Sequence, residues 1–453
     1  MSELICAVAT GARPCAIGIL RLSGEGAVSA ADSLFTPRTG GSLAQRPAGR
    51  LTVGTLRDAE GTLLDEIQAV RYASGYTGEE SVELFCHGSP VVLTLAMEAL
   101  CARGARPAGP GEFTRRAFLN GKLDLTAAEA VMDLIDAQTP AAARNAAGQL
   151  TGALARRLEG IHDALVDLAA HFCAVLDYPD EDLDPFTVEG MEETLERSGE
   201  ELTALLATYR RGKALTRGVP CAIVGRPNAG KSSLLNALLG YDRAIVTDLP
   251  GTTRDTVEET ARLGGVLLRL IDTAGLRETD DPVERLGVER SRAALEAAQL
   301  VLVLWDSSAP ITQEDAALLE RAMAVAPTIL VWNKRDLPSA PVPFLNLPEG
   351  LPTVELSART GEGLAALEAA VAALFPDGGE SQGSLITNQR QADGARRALA
   401  AVERGLEALR AGLTPDAALS DVEEALAALD ELTGRRVTDE VTDRIFSRFC
   451  VGK

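Results

Sequence analysis

The sequence predicts a multidomain protein of the α/β plus α class, and three observations carry that prediction. A chain of 453 residues is long enough for about three domains of ordinary size. The composition is 46% hydrophobic but only 4% aromatic, and Ala and Leu are frequent, which favours helix-rich α/β architecture over a β-sandwich or barrel. The third observation is a change of pattern along the chain, which separates regions of short strands from regions of long helices.

The amino-terminal region, residues 1–119, combines short strands with one strong helix. Helical periodicity is clear at 90–102. Four apolar runs are typical of strands: 15–22, 51–56, 66–72 and 81–86. Mixed elements of this kind indicate an α+β domain.

Residues 120–217 and 378–453 are predicted to be two parts of one α-helical bundle domain. Thr126 and Glu129 have the spacing of a capping box that opens a helix, and Pro140 suits a first helical turn. Apolar residues then recur at steps of three and four, which predicts a packing face rather than a site for a partner helix. They are Leu150, Leu154, Leu158, Ile161, Leu165, Leu168, Phe172 and Val175.

The segment 218–377 alternates strands with helices. Its strand-like runs are 219–224, 267–271, 300–305, 328–332 and 353–356. Such alternation implies a parallel sheet wrapped by helices, inserted between the two parts of the helical domain.

The charge of the chain is strongly negative but unevenly distributed. Lys and Arg total 44 and Asp and Glu total 65, a net charge of −21, which argues against broad coating of nucleic acid or of an anionic membrane. Residues 177–201 carry eleven acids and one Arg; a solvated surface is the simpler interpretation of this run, and a divalent-ion or partner site is the alternative. The stretches 101–125 and 434–453 have more basic than acidic residues, so any polyanion is expected there.

Cysteine and histidine usage argues against disulfide and zinc frameworks. The seven cysteines include no CxxC pair, and the three histidines form no HExxH pattern. No secretory signal and no apolar run of about 20 residues is evident. We therefore expect a cytoplasmic chain with reduced thiols and no membrane segment.

A phosphate-binding loop follows the first strand of the inserted domain. Residues 225–232, GRPNAGKS, fit G-x-x-x-x-G-K-[ST] between a strand and a helix, the context that this motif requires. Lys231 is expected to neutralise the β and γ phosphates, and the Ser232 hydroxyl to bind Mg²⁺. The predicted contacts of this loop with the nucleotide come from Asn228, Ala229, Gly230, Lys231, Ser232 and Ser233.

Three further motifs at strand ends identify the nucleotide as GTP. The turn Asp272, Thr273, Ala274, Gly275 suits Mg²⁺ and the γ-phosphate. Asn333, Lys334 and Asp336 follow another strand, and the Asp336 carboxylate can accept two hydrogen bonds from guanine that adenine cannot donate. The last strand ends at Ser357, Ala358 and Arg359, where a base-contacting loop is expected. Together these motifs predict a Ras-like P-loop G domain.

Two features indicate how this GTPase differs from Ras-like enzymes. Leu276 stands where those enzymes carry the Gln that orients water. A loop between the phosphate motif and the D-x-x-G turn is expected to contact GTP through Thr247, Asp248, Leu249, Pro250, Gly251, Thr252 and Thr253. Thr253 suits completion of the Mg²⁺ shell. Arg254 is a candidate arginine finger, and a loop-anchoring role is at least as well supported.

The chain resembles the MnmE (TrmE) family of tRNA-modification GTPases, in the TrmE-Era-like clade. The resemblance rests on NAGKSSLLN, GTTRD, DTAGLRET and NKRD in the G domain and on LRLSG, YTG, PGEFT, FLNGKLDL and the terminal DRIFSRFCVGK elsewhere. The amino-terminal blocks and the tail are the more specific of these, because other GTPases share the G-domain motifs.

The resemblance implies an architecture and an ion. It implies an amino-terminal folate-binding and dimerisation domain, a helical domain and an inserted G domain, in agreement with the boundaries above. It also implies that Asn228, with Thr247, Leu249 and Thr252, binds K⁺ where another enzyme places an arginine finger. Glu284 matches the family's water-positioning acid, although from the sequence alone it is an ordinary charged residue at a helix start.

The resemblance further implies a folate site and a reaction. Arg21, Glu83, Lys122 and Lys453 match the family's pocket for a tetrahydrofolate derivative, the 5-formyl or 5,10-methylene form. A carboxylate suits the donor-rich edge of a pterin, and cations suit the glutamate carboxylates. Cys450 of the tail is a candidate nucleophile or redox thiol, and a structural role is the favoured alternative because no adjacent base is identifiable.

The implied function is modification of tRNA by a homodimer together with an FAD-containing partner, MnmG, in a heterotetramer. The product would be an aminomethyl or carboxymethylaminomethyl group at C5 of the wobble uridine, with folate as the one-carbon source. Two alternatives stay open at this point: a ribosome-assembly switch GTPase that binds RNA, and a folate-dependent transferase of small molecules that GTP regulates.

Overall fold

The computed structural model describes residues 2–11, 13–177, 187–241, 259–271, 295–340, 347–376, 383–447 and 449–452. The contacts between residues divide the chain into two compact units. Unit 1 consists of Met1–Met132, Gln149–Thr203 and Asp393–Lys453, and unit 2 consists of Asp133–Gly148 and Ala204–Ala392. The mixture of α+β, helical and α/β parts confirms the predicted fold class. The boundaries proposed at 119, 217 and 377 stay predictions.

Unit 1 contains a seven-stranded sheet with the strand order β3-β4-β5-β6-β2-β1-β7. The strands are β1 Ile5–Val8, β2 Cys15–Ser23, β3 Phe35–Pro37, β4 Thr52–Arg57, β5 Leu63–Tyr72, β6 Ser81–Gly88 and β7 Arg106–Pro107. The four strands predicted from apolar runs are confirmed as β2, β4, β5 and β6. β1, β3 and β7 are too short for periodicity to reveal them.

The two faces of this sheet have different roles because side chains alternate along a strand. Leu20 and Leu22 lie in one buried core with Leu84. The helices α1 Ala27–Asp32 and α2 Pro90–Ala102 contribute to that core. On the alternate positions, Arg21 pairs with Glu83 and Ser23 pairs with Ser81, so the other face carries polar groups.

Helices follow β7 along the chain, some in unit 1 and others in unit 2. They are α3 Glu112–Leu119, α4 Leu125–Ile135, α5 Pro140–Leu150, α6 Ala153–Asp177, α7 Val188–Ala207 and α8 Tyr209–Arg217. The stripe predicted for one helix is divided by Gly152, whose φ of 81° is a left-handed conformation that only Gly adopts readily. Leu154, Leu158 and Leu165 of α6 are fully buried.

The predicted capping box at the start of α4 is wrong. Thr126 is already inside the helix and buried, and Asp124 accepts the hydrogen bonds of the Ala127 amide and the Thr126 hydroxyl instead. A carboxylate at this position also favours the helix amino terminus electrostatically. The helix at Pro140 begins as predicted, and Thr139 caps it by accepting from the Ala142 amide at 3.1 Å.

Unit 2 contains a six-stranded sheet with the strand order β13-β12-β11-β8-β10-β9. The strands are β8 Val219–Gly225, β9 Glu259–Leu263, β10 Val266–Leu270, β11 Leu300–Asp306, β12 Thr328–Asn333 and β13 Thr353–Glu355. The five predicted strands are confirmed and are parallel. β9 was not predicted; it pairs antiparallel with β10 at one edge.

The remaining helices complete the two units. They are α9 Lys231–Tyr241, α10 Gln313–Val325, α11 Leu364–Leu374, α12 Gln389–Arg410, α13 Pro415–Thr433 and α14 Asp439–Phe446. In unit 1, Phe446 of α14 packs with Leu125 and Ala128 of α4. Within the ranges that the structure describes, no helix is both long and apolar enough to cross a membrane.

Candidate functional site

The phosphate-binding loop connects β8 to α9, which begins at Lys231. A Cβ atom on Gly230 would lie 2.2 Å from Asn333 Nδ2, and Gly230 has a φ of 96°. Only glycine fits this position, because any side chain would collide with the amide and strain the backbone. Asn228 is exposed on the same loop with a φ of 65°.

Lys231 lies across its own loop. Its Nζ donates to the carbonyl oxygens of Gly225 and Arg226 at 2.8 and 2.9 Å. Burial lowers the pKa of the Lys231 ammonium, since a charged group loses solvation in a partly closed site. The loop therefore holds a poorly solvated cation, which an anionic phosphate would stabilise. Ser232 and Ser233 follow in the first turn of α9, where backbone N–H groups favour anions.

Asn333 joins three segments at the carboxyl edge of the unit 2 sheet. It is 1% exposed, its Nδ2 donates to the Ala229 carbonyl at 2.8 Å, and its Oδ1 accepts from the Ala358 amide at 2.9 Å. Ala229 belongs to the phosphate-binding loop, and Ala358 to the segment after β13. One amide thus holds together the two loops that were predicted to contact GTP.

The predicted base-recognition residues are brought together at this edge. Asp336 is exposed, and its Oδ1 accepts from the buried Ser357 hydroxyl at 2.7 Å. Lys334 has a φ of 64°, and its Nζ lies 2.7 Å from Asp306 Oδ2. Burial would raise the pKa of Asp306, but hydrogen bonds from Lys334 and Ser308 outweigh it and lower that pKa. Because Ser357 donates to the Asp336 carboxylate and this carboxylate is exposed, it is oriented and accessible, as a guanine contact requires. Arg359 is also exposed.

The other predicted nucleotide and ion contacts lie outside the described residues. They are Thr247, Asp248, Leu249, Pro250, Gly251, Thr252, Thr253, Arg254, Asp272, Thr273, Ala274, Gly275 and Glu284. Lys453 of the tail is also outside them. The roles assigned to these residues stay predictions.

A second site is a cavity of about 250 Å³ on the polar face of the unit 1 sheet. Its lining consists of Arg21, Ser23, Tyr72, Ser74, Gly75, Tyr76, Thr77, Ser81, Glu83 and Phe113. The strands β2, β5 and β6, the turn after β5 and the first turn of α3 supply these residues. Hydroxyl, carboxylate and aromatic groups around a small volume suit a flat polar ring better than an extended chain.

Arg21 and Glu83 are paired inside this cavity. Nε and Nη2 of Arg21 both lie close to Glu83 Oε1, at 2.9 and 2.8 Å. The guanidinium carbon is 5.4 Å from the Tyr76 ring centre and 5.7 Å from that of Phe113, distances typical of cation–π contacts. Burial raises the pKa of Tyr72, as does the nearby Glu83 carboxylate. The two contacts from Arg21 fix the orientation of the Glu83 carboxylate.

Lys122 and Cys450 do not line the cavity formed by the described residues. Lys122 is exposed, and its Cε lies 3.5 Å from the position of a Cβ on Gly78, in the turn that supplies the cavity wall. Cys450 is exposed, and its carbonyl oxygen accepts from the Gly111 amide at 3.2 Å. Val451 forms an antiparallel bridge with Pro110. The tail is thus fixed to the loop before α3.

No role was predicted from the sequence for Tyr76, Phe113, Ser23 or Ser81. Tyr76 belongs to the YTG motif and Phe113 to the PGEFT motif, but their position beside Arg21 depends on contacts between residues that are distant in sequence. Ser23 and Ser81 did carry a signal, because each alternates with apolar residues of its strand and so falls on the same face as Arg21 and Glu83.

Comparisons with known proteins match the whole chain. The family model "MnmE helical domain" matches residues 125–450, and the model "GTP-binding protein TrmE N-terminus" matches residues 4–122. A tRNA modification GTPase MnmE of Chloroflexus aurantiacus is 44% identical over 100% of both chains. Another, from Thermus thermophilus, is 44% identical over 100% of both chains.

Among solved structures, the G domain of the T. maritima FeoB iron transporter is 26% identical. It covers 34% of this chain and 97% of its own, with a TM-score of 0.23.

Proposed function

Since the chain belongs to the MnmE family of tRNA modification GTPases, we propose that it is a K⁺-stimulated, Mg²⁺-dependent GTP hydrolase that acts in the modification of tRNA. The observation that carries the nucleotide assignment is the Asn333 contact between the phosphate-binding loop and the Ala358 segment. It supports a site in which one end holds phosphates and the other a base. Asp336, oriented by Ser357, is the guanine-selecting group of this proposal.

The described residues of the phosphate-binding loop offer ligand types that suit the two ions of the proposal. Ser232 offers a hydroxyl oxygen at the helix start beside Lys231, a ligand type that Mg²⁺ accepts, and Thr253 would complete the set. Asn228, exposed on the phosphate-binding loop, offers an amide oxygen for K⁺ with Thr247, Leu249 and Thr252. When bound, Mg²⁺ and K⁺ supply positive charge to the phosphates; a comparable arginine finger is worth about 10³–10⁵ in rate, or roughly 4–7 kcal/mol.

Hydrolysis needs a group that orients water, because Leu276 cannot do so. We assign this role to Glu284, and Arg254 to anchoring of its loop or to charge stabilisation. Lys231 would bind the β and γ phosphates and neutralise part of their charge; positioning and charge stabilisation together account for most of phosphoryl-transfer catalysis.

We assign the cavity on the unit 1 sheet to a tetrahydrofolate derivative, of the 5-formyl or 5,10-methylene form. Glu83 can accept hydrogen bonds from the donor-rich edge of a pterin, and the aromatic rings beside it suit a flat heterocycle. The cavity of about 250 Å³ fits a bicyclic ring, so the glutamate tail would extend outside, toward Lys122 and Lys453.

The reaction that we propose requires the GTP site and the folate site of this chain together with a partner that carries a flavin. A homodimer of this chain would act with MnmG, which carries FAD, in a heterotetramer on tRNA. Folate would provide the one-carbon unit for an aminomethyl or carboxymethylaminomethyl group at C5 of the wobble uridine. Cys450 would position the tail.

The first experiment measures GTP turnover in matched K⁺ and Na⁺ buffers. We expect faster turnover in K⁺ for the wild type, and loss of that difference in Asn228→Ala. Glu284→Ala should keep GTP affinity near normal while turnover falls sharply. Equal wild-type rates in the two buffers would contradict the K⁺ assignment.

The second experiment is mass spectrometry of nucleosides from the bulk tRNA of a deletion strain. We expect wobble uridines without the C5 group. Normal wobble uridines would instead favour a ribosome-assembly GTPase or a folate-dependent transferase of small molecules.

A further inference from the structure

The wall of the unit 1 cavity contains a short turn, residues 74–79, that follows β5. Ser74, Gly75, Tyr76 and Thr77 of this turn line the cavity. The Gly78 amide donates to the Gly75 carbonyl at 3.0 Å, and the Gly75 amide donates to the Glu79 carbonyl at 2.9 Å. The turn is therefore closed on itself, and any group that fixes Glu79 also fixes the cavity wall.

Glu79 connects this turn to the floor of the cavity. Its Oε2 accepts from the Ser23 hydroxyl at 2.9 Å, and the Ser23 and Thr77 hydroxyl oxygens are 2.6 Å apart in a buried hydrogen bond. Ser23 and Thr77 both line the cavity, whereas Glu79 does not. From outside the cavity lining, Glu79 thus fixes the Ser23 hydroxyl directly and the Thr77 hydroxyl through Ser23.

Arg116 of α3 holds Glu79 in turn. Its side chain is 12% exposed, and Nη1 donates to Glu79 Oε2 at 3.1 Å and to the Glu3 carbonyl at 2.7 Å. Nη2 donates to Glu112 Oε1 at 3.0 Å. A guanidinium with three partners has a fixed orientation, and little freedom is lost for each bond that it makes. Arg116 itself is not among the lining residues.

Two neighbouring bonds attach the same turn to α3 and its carboxyl end. The Asn120 side chain donates to the Thr77 carbonyl at 2.7 Å, and the Tyr76 hydroxyl is 3.0 Å from the Thr114 hydroxyl. The helix that supplies Phe113 to the cavity, together with its capping residue Asn120, therefore also holds the turn.

We propose that Arg116 is a positioning residue for the ligand of this cavity. It acts through Glu79, which sets the Ser23 and Thr77 hydroxyl groups and the Tyr76 ring around the space where a flat heterocycle would lie. The inference rests on the proposed folate-type ligand and adds a determinant of its affinity that lies outside the cavity.

The test compares Arg116→Met with Arg115→Met in the full-length chain, using 5-formyl-tetrahydrofolate as the probe in titration calorimetry. Arg115 is a matched control, because it is the neighbouring residue of α3 and pairs instead with Asp443 at 2.8 Å. We expect Kd to rise about 10-fold to 100-fold in Arg116→Met, by analogy with the effect of removing the residues that orient metal ligands. Kd should change less than about twofold in Arg115→Met, and GTP turnover should be unchanged in both.

Conservative and double variants separate positioning from folding. Arg116→Lys keeps the charge and should recover part of the affinity. Glu79→Gln should weaken binding, and adding Arg116→Met to it should cost much less than the sum of the two, because both changes interrupt one chain of contacts. A lower melting temperature in Arg116→Met with an unchanged Kd would overturn the inference while leaving the folate proposal intact. A wild type that does not bind the probe would overturn both.

Discussion

Replacing Asn333 with Ala tests whether a single buried amide holds the nucleotide site together. The substitution removes the donor to the Ala229 carbonyl and the acceptor of the Ala358 amide. Both alanines are buried, at 3% and 8% exposure, so neither backbone group gains full access to water. A buried polar group without a partner costs about 1–3 kcal/mol, and two such groups cost about 4 kcal/mol.

The expected consequences are measurable in two assays. For a unit of about 200 residues, 1 kcal/mol shifts Tm by about 2–4 °C, so scanning calorimetry of the G-domain transition should show a decrease of about 8–16 °C. GTP affinity should also fall, by about tenfold or more, because the base loop and the phosphate loop would no longer be fixed relative to each other.

A matched control comes from the same unit. Asn388 Oδ1 accepts from the Gln391 amide at 2.9 Å at the start of α12, and its replacement with Ala should cost about 1 kcal/mol without changing GTP affinity. A Tm of Asn333→Ala within about 2 °C of the wild type, together with unchanged GTP affinity, would refute the reasoning that this amide joins the two loops.

Three further predictions concern selectivity, the cavity and pH. Asp336→Asn should lower GTP affinity about 100-fold or more and improve binding of xanthosine triphosphate, whose 2-carbonyl can accept from the new amide; competition binding checks this. Glu83→Gln should weaken binding of both 5-formyl-tetrahydrofolate and a tetrahydropterin without a glutamate tail, whereas Lys122→Met should weaken only the former, by about fivefold or less. Burial would raise the pKa of Glu112, but hydrogen bonds from Arg106, the Gly109 amide and Arg116 outweigh it and lower the pKa to about 2. That stabilisation is complete above the ordinary value of 4.5 and is lost as pH falls toward 2; urea unfolding of Glu112→Gln should therefore lose less stability over this range than the wild type.

The elements that could be predicted from the sequence are those with a local signal. The strands β8, β11 and β12 of unit 2 are nearly continuous apolar runs, because both faces of a parallel sheet are covered, and all five parallel strands were found. β9 was missed because its sequence, ETARL, mixes charged and apolar residues, as an edge strand that pairs on one side can. At α4 the capping residue was misplaced by two positions, since Asp124 and Thr126 are both good caps and only the backbone decides between them.

The same distinction applies to the two sites. The nucleotide motifs could be identified because each is a short segment at a strand end, and parallel strands bring their carboxyl ends to one edge. Arg21 and Glu83 came from a resemblance, and their direct pairing follows from a register between strands that are 62 residues apart in sequence. Arg116 contacts Glu79 and Glu3, which lie 37 and 113 residues away in sequence. No periodic pattern in the sequence predicts such contacts.

The pairing of Arg21 with Glu83 changes how a folate-type ligand would be recognised. Nε and Nη2 of Arg21 are both directed at one carboxylate oxygen of Glu83, and the guanidinium lies near two aromatic rings. If Arg21 turned toward the glutamate carboxylates of a ligand, it would leave Glu83, and a carboxylate left unpaired in a small cavity costs several kcal/mol by order of magnitude. We therefore expect the tail to be recognised by a cation other than Arg21. In this proposal Arg21 orients Glu83 for the ring, and an exposed lysine such as Lys122 would meet the tail in solvent, where the contact is weaker and more easily screened by salt.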